Sequence, residues 1–268
     1  MSATLHCETL GAGPPVLVLH GLFGAGRNWL SVARHLAATY TFHLVDLRNH
    51  GRSPHLPAMS YRDMAGDVRG LVERLSLNDF TLVGHSMGGK AAMTLALNDP
   101  RGVERLVCVD IAPAAYPDRF AEMIRAMREL DLRLVRRRGD ADAALAPAIR
   151  DKVVRQFILQ NLVFEAGQAR WRANLTALED QMPLILGPLP VAADACYRGP
   201  TWFIRGEHSD RITPAHHALI ARHFPNHRIE TVIGGGHWPH AEAPAAFMQL
   251  FEQALAQGPP SGGIRSVA

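Results

Sequence analysis

The chain has 268 residues, of which 47% are hydrophobic and 20% are charged. These values fit one large α/β domain with room for an insertion, and they exclude disordered, collagen-like and coiled-coil proteins. Because 28 Lys and Arg residues nearly balance 25 Asp and Glu residues, and no basic stripe carries interleaved aromatic side chains, nucleic acid is not an expected partner.

Strand and helix patterns alternate in the first half of the chain. The continuous apolar run at residues 16–19 and the mostly apolar stretches at 42–47, 80–83 and 103–109 predict strands of a parallel sheet that is covered on both faces. Helical periodicity separates these runs, and Ser60 is the expected N-cap of one of the helices. The order of the elements predicts an α/β fold with a mostly parallel sheet and flanking helices.

The alternation stops at about residue 113. From there to residue 189 the apolar residues follow helical stripes with no intervening strand. We therefore predict a helical cap inserted between two parts of the core. The elements expected after the insertion are a strand at 201–204, a helix at 215–223, a strand at 229–233 and a closing helix at 244–255.

This pattern predicts three parts along the chain. Residues 1–112 and 190–257 form the α/β core, and residues 113–189 form the helical cap. Residues 258–268 are rich in glycine and proline, so this tail is expected to be disordered.

The cysteines and the apolar runs bear on the setting of the protein. Cys7, Cys108 and Cys196 are odd in number and far apart, and the N-terminus lacks the basic and then apolar pattern of a signal peptide. We therefore expect a reducing, cytoplasmic setting. No apolar run approaches the roughly 20 residues of a membrane-spanning helix, so no membrane span is expected.

A nucleophile elbow is the strongest motif in the chain. The stretch Gly84-His85-Ser86-Met87-Gly88 matches G-x-S-x-G, in which a serine sits on a sharp turn between a strand and a helix. The apolar run before the motif and the alanine-rich helical stretch after it are the context that the motif requires. A side chain at either glycine would collide with its surroundings in so tight a turn. Ser86 is thus the candidate nucleophile, and the alternative is a glycine-rich turn that closes a βα unit.

A serine hydroxyl needs a base that removes its proton and an acid that orients the base. His237 is the candidate base, because it follows three glycines that allow a loop to turn over the carboxyl edge of the sheet. Two carboxylates compete for the third position: Asp210 follows the predicted strand 201–204, and Asp110 ends the strand 103–109. We favour Asp210, because its loop normally lies beside the loop of the histidine.

Acyl transfer also requires two backbone N–H groups that stabilise an oxyanion. In a fold with a nucleophile elbow, one comes from the residue after the nucleophile, here Met87. The other comes from the loop after the first buried strand, here Leu22 with Phe23 as a near alternative. His20 precedes that loop and is expected to be a hydrogen-bonded structural histidine. No H-E-x-x-H motif or paired cysteine spacing supports a metal site.

Five segments carry a resemblance to a known family: LHGLFGAGRNW (19–29), DLRNHGRSPH (46–55), VGHSMGGKAAM (83–93), VDIAP (109–113) and GGHWPHAE (235–242). They resemble the YbfF and ABHD11 branch of the α/β-hydrolase superfamily. The resemblance implies an α/β-hydrolase fold with a helical cap. It also implies an esterase or thioesterase that acts on small acyl substrates, acyl-CoA included, without a cofactor. It puts the acid at the position of Asp110 in some members.

The expected function is that of a serine hydrolase that cleaves carboxylic esters or thioesters through an acyl-enzyme. The alternative is a non-catalytic binding protein with the same fold. A serine at the elbow argues against dehalogenases and epoxide hydrolases, which use an aspartate there. The insertion contains four arginines that are expected to face solvent, with contacts to an anionic substrate as the alternative: Arg133, Arg136, Arg137 and Arg138.

Overall fold

The computed structural model describes residues 3–256. Its strands are β1 (Cys7–Gly11), β2 (Pro15–Leu19), β3 (Thr41–Val45), β4 (Phe80–His85), β5 (Val103–Val109), β6 (Leu162–Glu165), β7 (Gln168–Trp171), β8 (Thr201–Gly206) and β9 (His227–Val232). One sheet has the order β1-β3-β2-β4-β5-β8-β9. In this sheet β1 is antiparallel to β3, and the other neighbours are parallel. The predicted mostly parallel sheet is therefore confirmed.

Helices cover both faces of this sheet. The α-helices are α1 (Leu30–Leu36), α2 (Tyr61–Arg74), α3 (Met87–Asn98), α4 (Ala121–Glu129), α5 (Arg138–Leu145), α6 (Lys152–Ile158), α7 (Leu175–Leu186), α8 (His217–His223), α9 (Pro239–Glu242) and α10 (Pro244–Ala256). Because side chains alternate along a strand, Leu17 and Leu19 of β2 pack in the core that α2 and α3 cover. Val16 and Val18 pack in the core that α1 and α10 cover.

Local capping fixes the start of α2, as the sequence predicted. The Ser60 side chain accepts a hydrogen bond from the backbone N–H of Asp63 at 3.2 Å. The Asp63 carboxylate in turn accepts one from the backbone N–H of Ser60 at 2.9 Å. This reciprocal pair satisfies two N–H groups that the first helical turn leaves without acceptors.

The insertion between β5 and β8 contains α4 to α7 and also an antiparallel hairpin of β6 and β7. The expectation of a purely helical insertion was therefore wrong at this point. The hairpin turns at Ala166 and Gly167, whose φ angles are 49° and 78°, as a tight two-residue turn requires. Before the hairpin, α6 ends at Ile158 and a 3₁₀ turn at Leu159–Asn161 follows.

Two further outcomes concern the edges of the fold. The antiparallel edge strand β1 was not predicted, because its mostly polar and exposed residues carry no apolar run. The tail at 258–268 lies outside the described residues, and the boundaries of the cap at 113 and 189 stay predictions. In residues 3–256, no helix combines the length and the apolar character that crossing a membrane requires.

Candidate active site

Ser86 occupies the sharp turn between β4 and α3. Its φ and ψ angles are 51° and −118°, a strained combination for a residue with a Cβ. The Ser86 N–H donates to the carbonyl of Val109 at 3.0 Å, which ties the turn to the end of β5. A Cβ at Gly84 would collide with the backbone of Gly88, and a Cβ at Gly88 would collide with the carbonyl of His20. Close contact between chain segments thus requires both glycines.

His237 joins the serine to a buried carboxylate. Its Nε2 lies 3.1 Å from Ser86 Oγ, and its Nδ1 lies 2.7 Å from Asp110 Oδ2. The Asp110 side chain is fully buried and accepts two more hydrogen bonds, from the Gly206 N–H at 2.9 Å and from Ser209 Oγ at 2.5 Å. Donors from three directions therefore fix the carboxylate that faces the imidazole.

Asp210, the acid that the sequence analysis favoured, lies outside this line of hydrogen bonds. Its side chain is 57% exposed and pairs with Arg119 of the cap at 2.8 Å. In the loop after β8, it is Ser209 that reaches the Asp110 carboxylate. At Asp110 φ is 51°, so the chain turns sharply at the end of β5 and the carboxylate reaches the histidine from that side. These contacts favour Asp110 over Asp210 as the acid, contrary to the preference drawn from the sequence.

His85 holds the loop that carries His237. Its Nε2 donates to the carbonyl oxygen of His237 at 2.7 Å, and the centroids of the two rings lie 5.0 Å apart. Burial, with the neighbouring His237 and His240, holds the pKa of His85 well below its usual value. The ring is therefore a neutral donor. This contact was not predicted from the sequence, where its signal is a histidine directly before Ser86 in an otherwise apolar stretch.

His240 is the second imidazole beside His237. Its ring stacks on Trp29 with centroids 4.6 Å apart, and its Nδ1 is buried without a hydrogen-bond partner in the described part of the chain. Burial and the nearby His237 lower the pKa of His240 to about 4.

We expect His240→Phe to make the fold more resistant to acid. In the unfolded chain His240 takes up a proton near its usual pKa of 6.5, whereas in the folded chain it does so at about 4. Stability is therefore lost as the pH falls between these values, by about 1.4 kcal/mol per pH unit. Phenylalanine keeps a ring on Trp29 but does not titrate. Urea unfolding at pH 7 and pH 5 should show a smaller loss for the variant, and an equal loss would contradict this account.

Two backbone N–H groups beside Ser86 have no hydrogen-bond acceptor within residues 3–256: those of Met87 and Leu22. They are the two donors that the sequence predicted for an oxyanion. The N–H of Phe23, the near alternative, donates to His50 Nε2 at 3.1 Å. Phe23 is therefore engaged elsewhere, and Leu22 is the donor that remains available.

Buried imidazoles hold the loop that carries Leu22. His20 donates from Nδ1 to the carbonyl of Gly21 at 2.7 Å, and its Nε2 accepts from the N–H of Leu47 at 3.0 Å. Burial lowers the pKa of His20 and lowers that of His50 to about 3. Both rings are therefore neutral and serve as fixed hydrogen-bonding groups, in agreement with the structural role expected for His20.

A cavity of about 240 Å³ lies beside Ser86 and His237, between the sheet and the cap. Its wall is mainly apolar and includes Phe120, Met123, Phe157 and Ile158 of the cap. Two guanidinium groups, those of Arg119 and Arg211, also line it. Apolar walls that exclude water strengthen the electrostatic interactions inside such a site.

The four arginines that the sequence analysis considered do not line this cavity. Arg133 pairs with Asp131 at 2.8 Å and Arg137 pairs with Asp140 at 3.2 Å, both on the outside of the cap. Arg138 donates to two backbone carbonyls of the cap. The arginines at the cavity come from other segments, and no pattern in the sequence distinguished them.

The other ligand-binding chemistry considered from the sequence concerns metals. Within residues 3–256, no three His, Cys, Asp or Glu side chains are grouped so that they would hold a metal ion. The cysteines at positions 7, 108 and 196 are free thiols.

The fold is a mostly parallel sheet with a cap, and a serine lies on a strained elbow within reach of a histidine. This is the arrangement expected of an α/β protein with a serine nucleophile. The chain belongs to the alpha/beta hydrolase family, whose model matches residues 16–250. It is 40% identical over 251 residues to the sn-1-specific diacylglycerol lipase ABHD11 of Mus musculus. The aligned region covers 91% of this chain and 81% of that protein.

Two further relatives come from microorganisms. The chain is 34% identical over 245 residues to the esterase YbfF of Escherichia coli, over 90% of this chain and 92% of that protein. The match to the solved structure of a marine microorganism esterase has a TM-score of 0.91 and a sequence identity of 34%. The match covers 94% of this chain and 99% of the esterase chain. The predictions of an α/β-hydrolase fold and of an ester-hydrolysing serine hydrolase are therefore confirmed. The roles of individual residues stay predictions.

Proposed function

We propose that the protein hydrolyses carboxylic esters or thioesters through an acyl-enzyme formed on Ser86. One observation carries the proposal: hydrogen bonds of 2.7 and 3.1 Å connect Asp110 through His237 to Ser86, beside a cavity with mainly apolar walls. A non-catalytic binding protein has no need of a strained serine that faces an oriented histidine.

The first half of the proposed reaction forms the acyl-enzyme. Ser86 Oγ bonds to the acyl carbon as its proton passes to His237 Nε2, and the carbonyl oxygen becomes an oxyanion near the N–H groups of Met87 and Leu22. Asp110 stabilises the imidazolium through Nδ1. When the carbon–oxygen or carbon–sulfur bond breaks, His237 returns the proton to the departing alcohol or thiol.

The second half uses water in place of the alcohol or thiol. His237 takes a proton from water as the water oxygen bonds to the acyl carbon, and the same two N–H groups face the new oxyanion. Collapse of this intermediate breaks the bond to Ser86 Oγ, which regains its proton from His237. The carboxylic acid leaves, and both side chains return to their starting states.

A fluorophosphonate probe and a substrate panel test this function. The panel contains p-nitrophenyl esters of graded chain length, several acyl-CoAs and, given the name of the mouse relative, a diacylglycerol. We expect labelling of Ser86 and turnover of at least one substrate class. A folded protein that neither reacts with the probe nor turns over any ester or thioester would favour the non-catalytic alternative.

The charges at the cavity favour substrates that carry an anionic group. Arg119 and Arg211 both line the cavity, and Asp210 is the carboxylate that pairs with them, at 2.8 and 3.7 Å. Two guanidinium groups with one carboxylate leave an excess positive charge where a substrate would enter. Acyl-CoA thioesters and esters of dicarboxylic acids fit this charge.

We expect Arg119→Met to raise KM for an acyl-CoA by about tenfold, because a hydrogen bond to a charged group contributes about 1.5 kcal/mol or more. KM for a neutral p-nitrophenyl ester should change by less than about twofold, since no charged contact is lost. Arg133→Met is the matched control, because that exposed arginine pairs with Asp131 outside the cavity. Equal losses for charged and neutral substrates would contradict the role of Arg119.

A control for the freed carboxylate belongs to this experiment. Arg119→Met leaves Asp210 with Arg211 at 3.7 Å in place of two arginines, and the less compensated carboxylate would itself repel an anion. The double variant with Asp210→Asn removes that repulsion. A loss that persists in the double variant assigns the effect to Arg119.

The cytoplasmic setting expected from the cysteines is part of the same proposal, since acyl-CoA substrates fit such a setting.

A further inference from the structure

Lys90 is a buried lysine that the proposed reaction does not use. It lies in the first turn of α3, its backbone N–H donates to the carbonyl of Ser86 at 3.1 Å, and only 1% of the residue is exposed. In residues 3–256 its ammonium has no carboxylate partner. An ammonium in such a place costs several kcal/mol unless other groups satisfy it.

Backbone carbonyls satisfy the Lys90 ammonium. Its Nζ donates to Ala114 O at 3.0 Å and to Gly187 O, and Ile185 O lies 3.4 Å away. The faces of two aromatic rings complete the surroundings: Nζ lies 4.9 Å from the ring centroid of Tyr61 and 5.7 Å from that of Tyr116. Both contacts fall within the range of cation–π interactions.

The three carbonyls belong to the two segments through which the chain enters and leaves the cap. Residues 112–116 lead from β5 into the cap, and residues 185–187 lead out of it at the end of α7; together they are called the neck. The two segments are bonded to each other, because the N–H of Tyr116 donates to Leu186 O at 2.9 Å. Lys90 is thus a single core side chain that binds both segments of the neck.

The tyrosines around Lys90 reinforce the neck. Tyr61 of α2 donates from its hydroxyl to Ile185 O at 2.6 Å. The hydroxyl of Tyr116 accepts from the N–H of Ala112 at 2.9 Å and donates to Arg211 O at 2.6 Å. The neck therefore rests on α2, on α3 and on the loop that carries Arg211.

The neck borders the site. A small void of about 30 Å³ is lined by Ser86, Lys90, Tyr116, Phe120 and Arg211 among others. Three of these residues, Ser86, Phe120 and Arg211, also line the larger cavity. Because Tyr116 of the neck donates to Arg211 O, a shift of the neck would move a wall of the cavity.

We propose that Lys90 is a positioning residue that holds both segments of the neck against the nucleophile helix and thereby sets the shape of the substrate cavity, an inference that rests on the proposed function of this site. A neutral apolar side chain cannot bind carbonyls, and a carboxylate would repel them. A flexible side chain with three donors meets oxygens from two separate segments.

The burial of Lys90 also predicts how the stability of the fold depends on pH. Burial lowers the pKa of Lys90 from 10.5 to about 7. The groups that face it are Tyr61 and Tyr116, whose pKa burial raises, and Arg211 across the small void. Between pH 7 and 10 the unfolded chain binds the proton that the folded chain has released, so stability should rise with pH over this range. Lys90→Met should abolish that rise.

The test compares Lys90→Met with Lys90→Arg, and with Lys152→Met as the matched control, since Lys152 is exposed at the start of α6 and is the other lysine of the chain. For Lys90→Met we expect labelling of Ser86 by fluorophosphonate and kcat for a short ester to stay within about threefold. KM for the longest accepted acyl chain should rise about tenfold. Lys90→Arg should restore part of the selectivity, and Lys152→Met should match the wild type.

A second measurement separates this inference from the proposed function. Hydrogen exchange of the Tyr116 amide reports on the bond to Leu186 O without any substrate, and it should be at least about tenfold faster in Lys90→Met. Unchanged exchange and unchanged selectivity would overturn the role of Lys90. Equal losses of kcat for all substrates, with slower labelling, would also overturn it, because they would assign Lys90 to the nucleophile. If Lys90→Met does not fold, the same comparison is made with Lys90→Gln.

Discussion

Replacing Ser86 by alanine is expected to lower kcat for every ester and thioester by about 10⁴-fold or more, because nucleophile, base and acid act as one unit. The variant should fold normally, since alanine keeps the Cβ that the strained turn already carries, with φ of 51°. The measurement is kcat with the best substrate of the panel, together with the melting temperature.

Ser31→Ala is a suitable control for the nucleophile variant. Ser31 is exposed on α1, so its hydroxyl makes no contribution to the site. This variant should match the wild type in rate and in fluorophosphonate labelling. More than a few per cent of residual activity in Ser86→Ala, after exclusion of contaminating enzymes, would refute Ser86 as the nucleophile.

Asp110→Asn is expected to lower kcat by about 10⁴-fold, by analogy with the serine protease triad. An asparagine presents an amide N–H₂ as well as a carbonyl to His237, so it no longer fixes the imidazole in the form that accepts the serine proton. The carboxylate also accepts from Gly206 and Ser209, and the melting temperature must therefore be measured beside the rate.

Asp210→Asn is the matched comparison, because Asp210 was the rival acid and directly follows Ser209, the residue of this loop that contacts the Asp110 carboxylate. We expect a loss of less than about tenfold, since its carboxylate pairs with Arg119 and is 57% exposed. A large loss in Asp210→Asn with near-normal Asp110→Asn would restore the preference drawn from the sequence. Modest losses in both would mean that either carboxylate supports His237.

The sequence was most informative where short-range rules determine the structure. An apolar run followed by a serine between two glycines locates β4, Ser86 and α3, because so sharp a turn tolerates no side chain at Gly84 or Gly88. The same holds for Ser60, whose capping contact lies three residues away along the chain. The cap at Ser60 and the collision of Gly84 with Gly88 depend on neighbours in sequence, whereas the collision at Gly88 is with His20 at the end of the adjacent strand.

The choice of the acid depends on contacts that sequence spacing does not fix. Asp110 and Asp210 both follow strands that end at the same edge of the sheet. What separates them is the partner of each: Asp110 meets His237 across 127 residues, whereas Asp210 meets Arg119 of the cap. Hydrophobic periodicity does not predict how the cap lies over the sheet. Neither the pair of Asp210 with Arg119 nor the arginines at the cavity were therefore predicted.

The bond from His85 to the carbonyl of His237 has a consequence for how the protein acquires its activity during folding. It connects residues 152 positions apart, and His85 is the peptide neighbour of Ser86. The loop after β9 must therefore close onto the finished β4 turn before nucleophile and base face each other. Long-range closure of this kind is slow compared with the formation of helices. A refolding chain thus regains its secondary structure first and becomes a competent enzyme only when its two halves have joined.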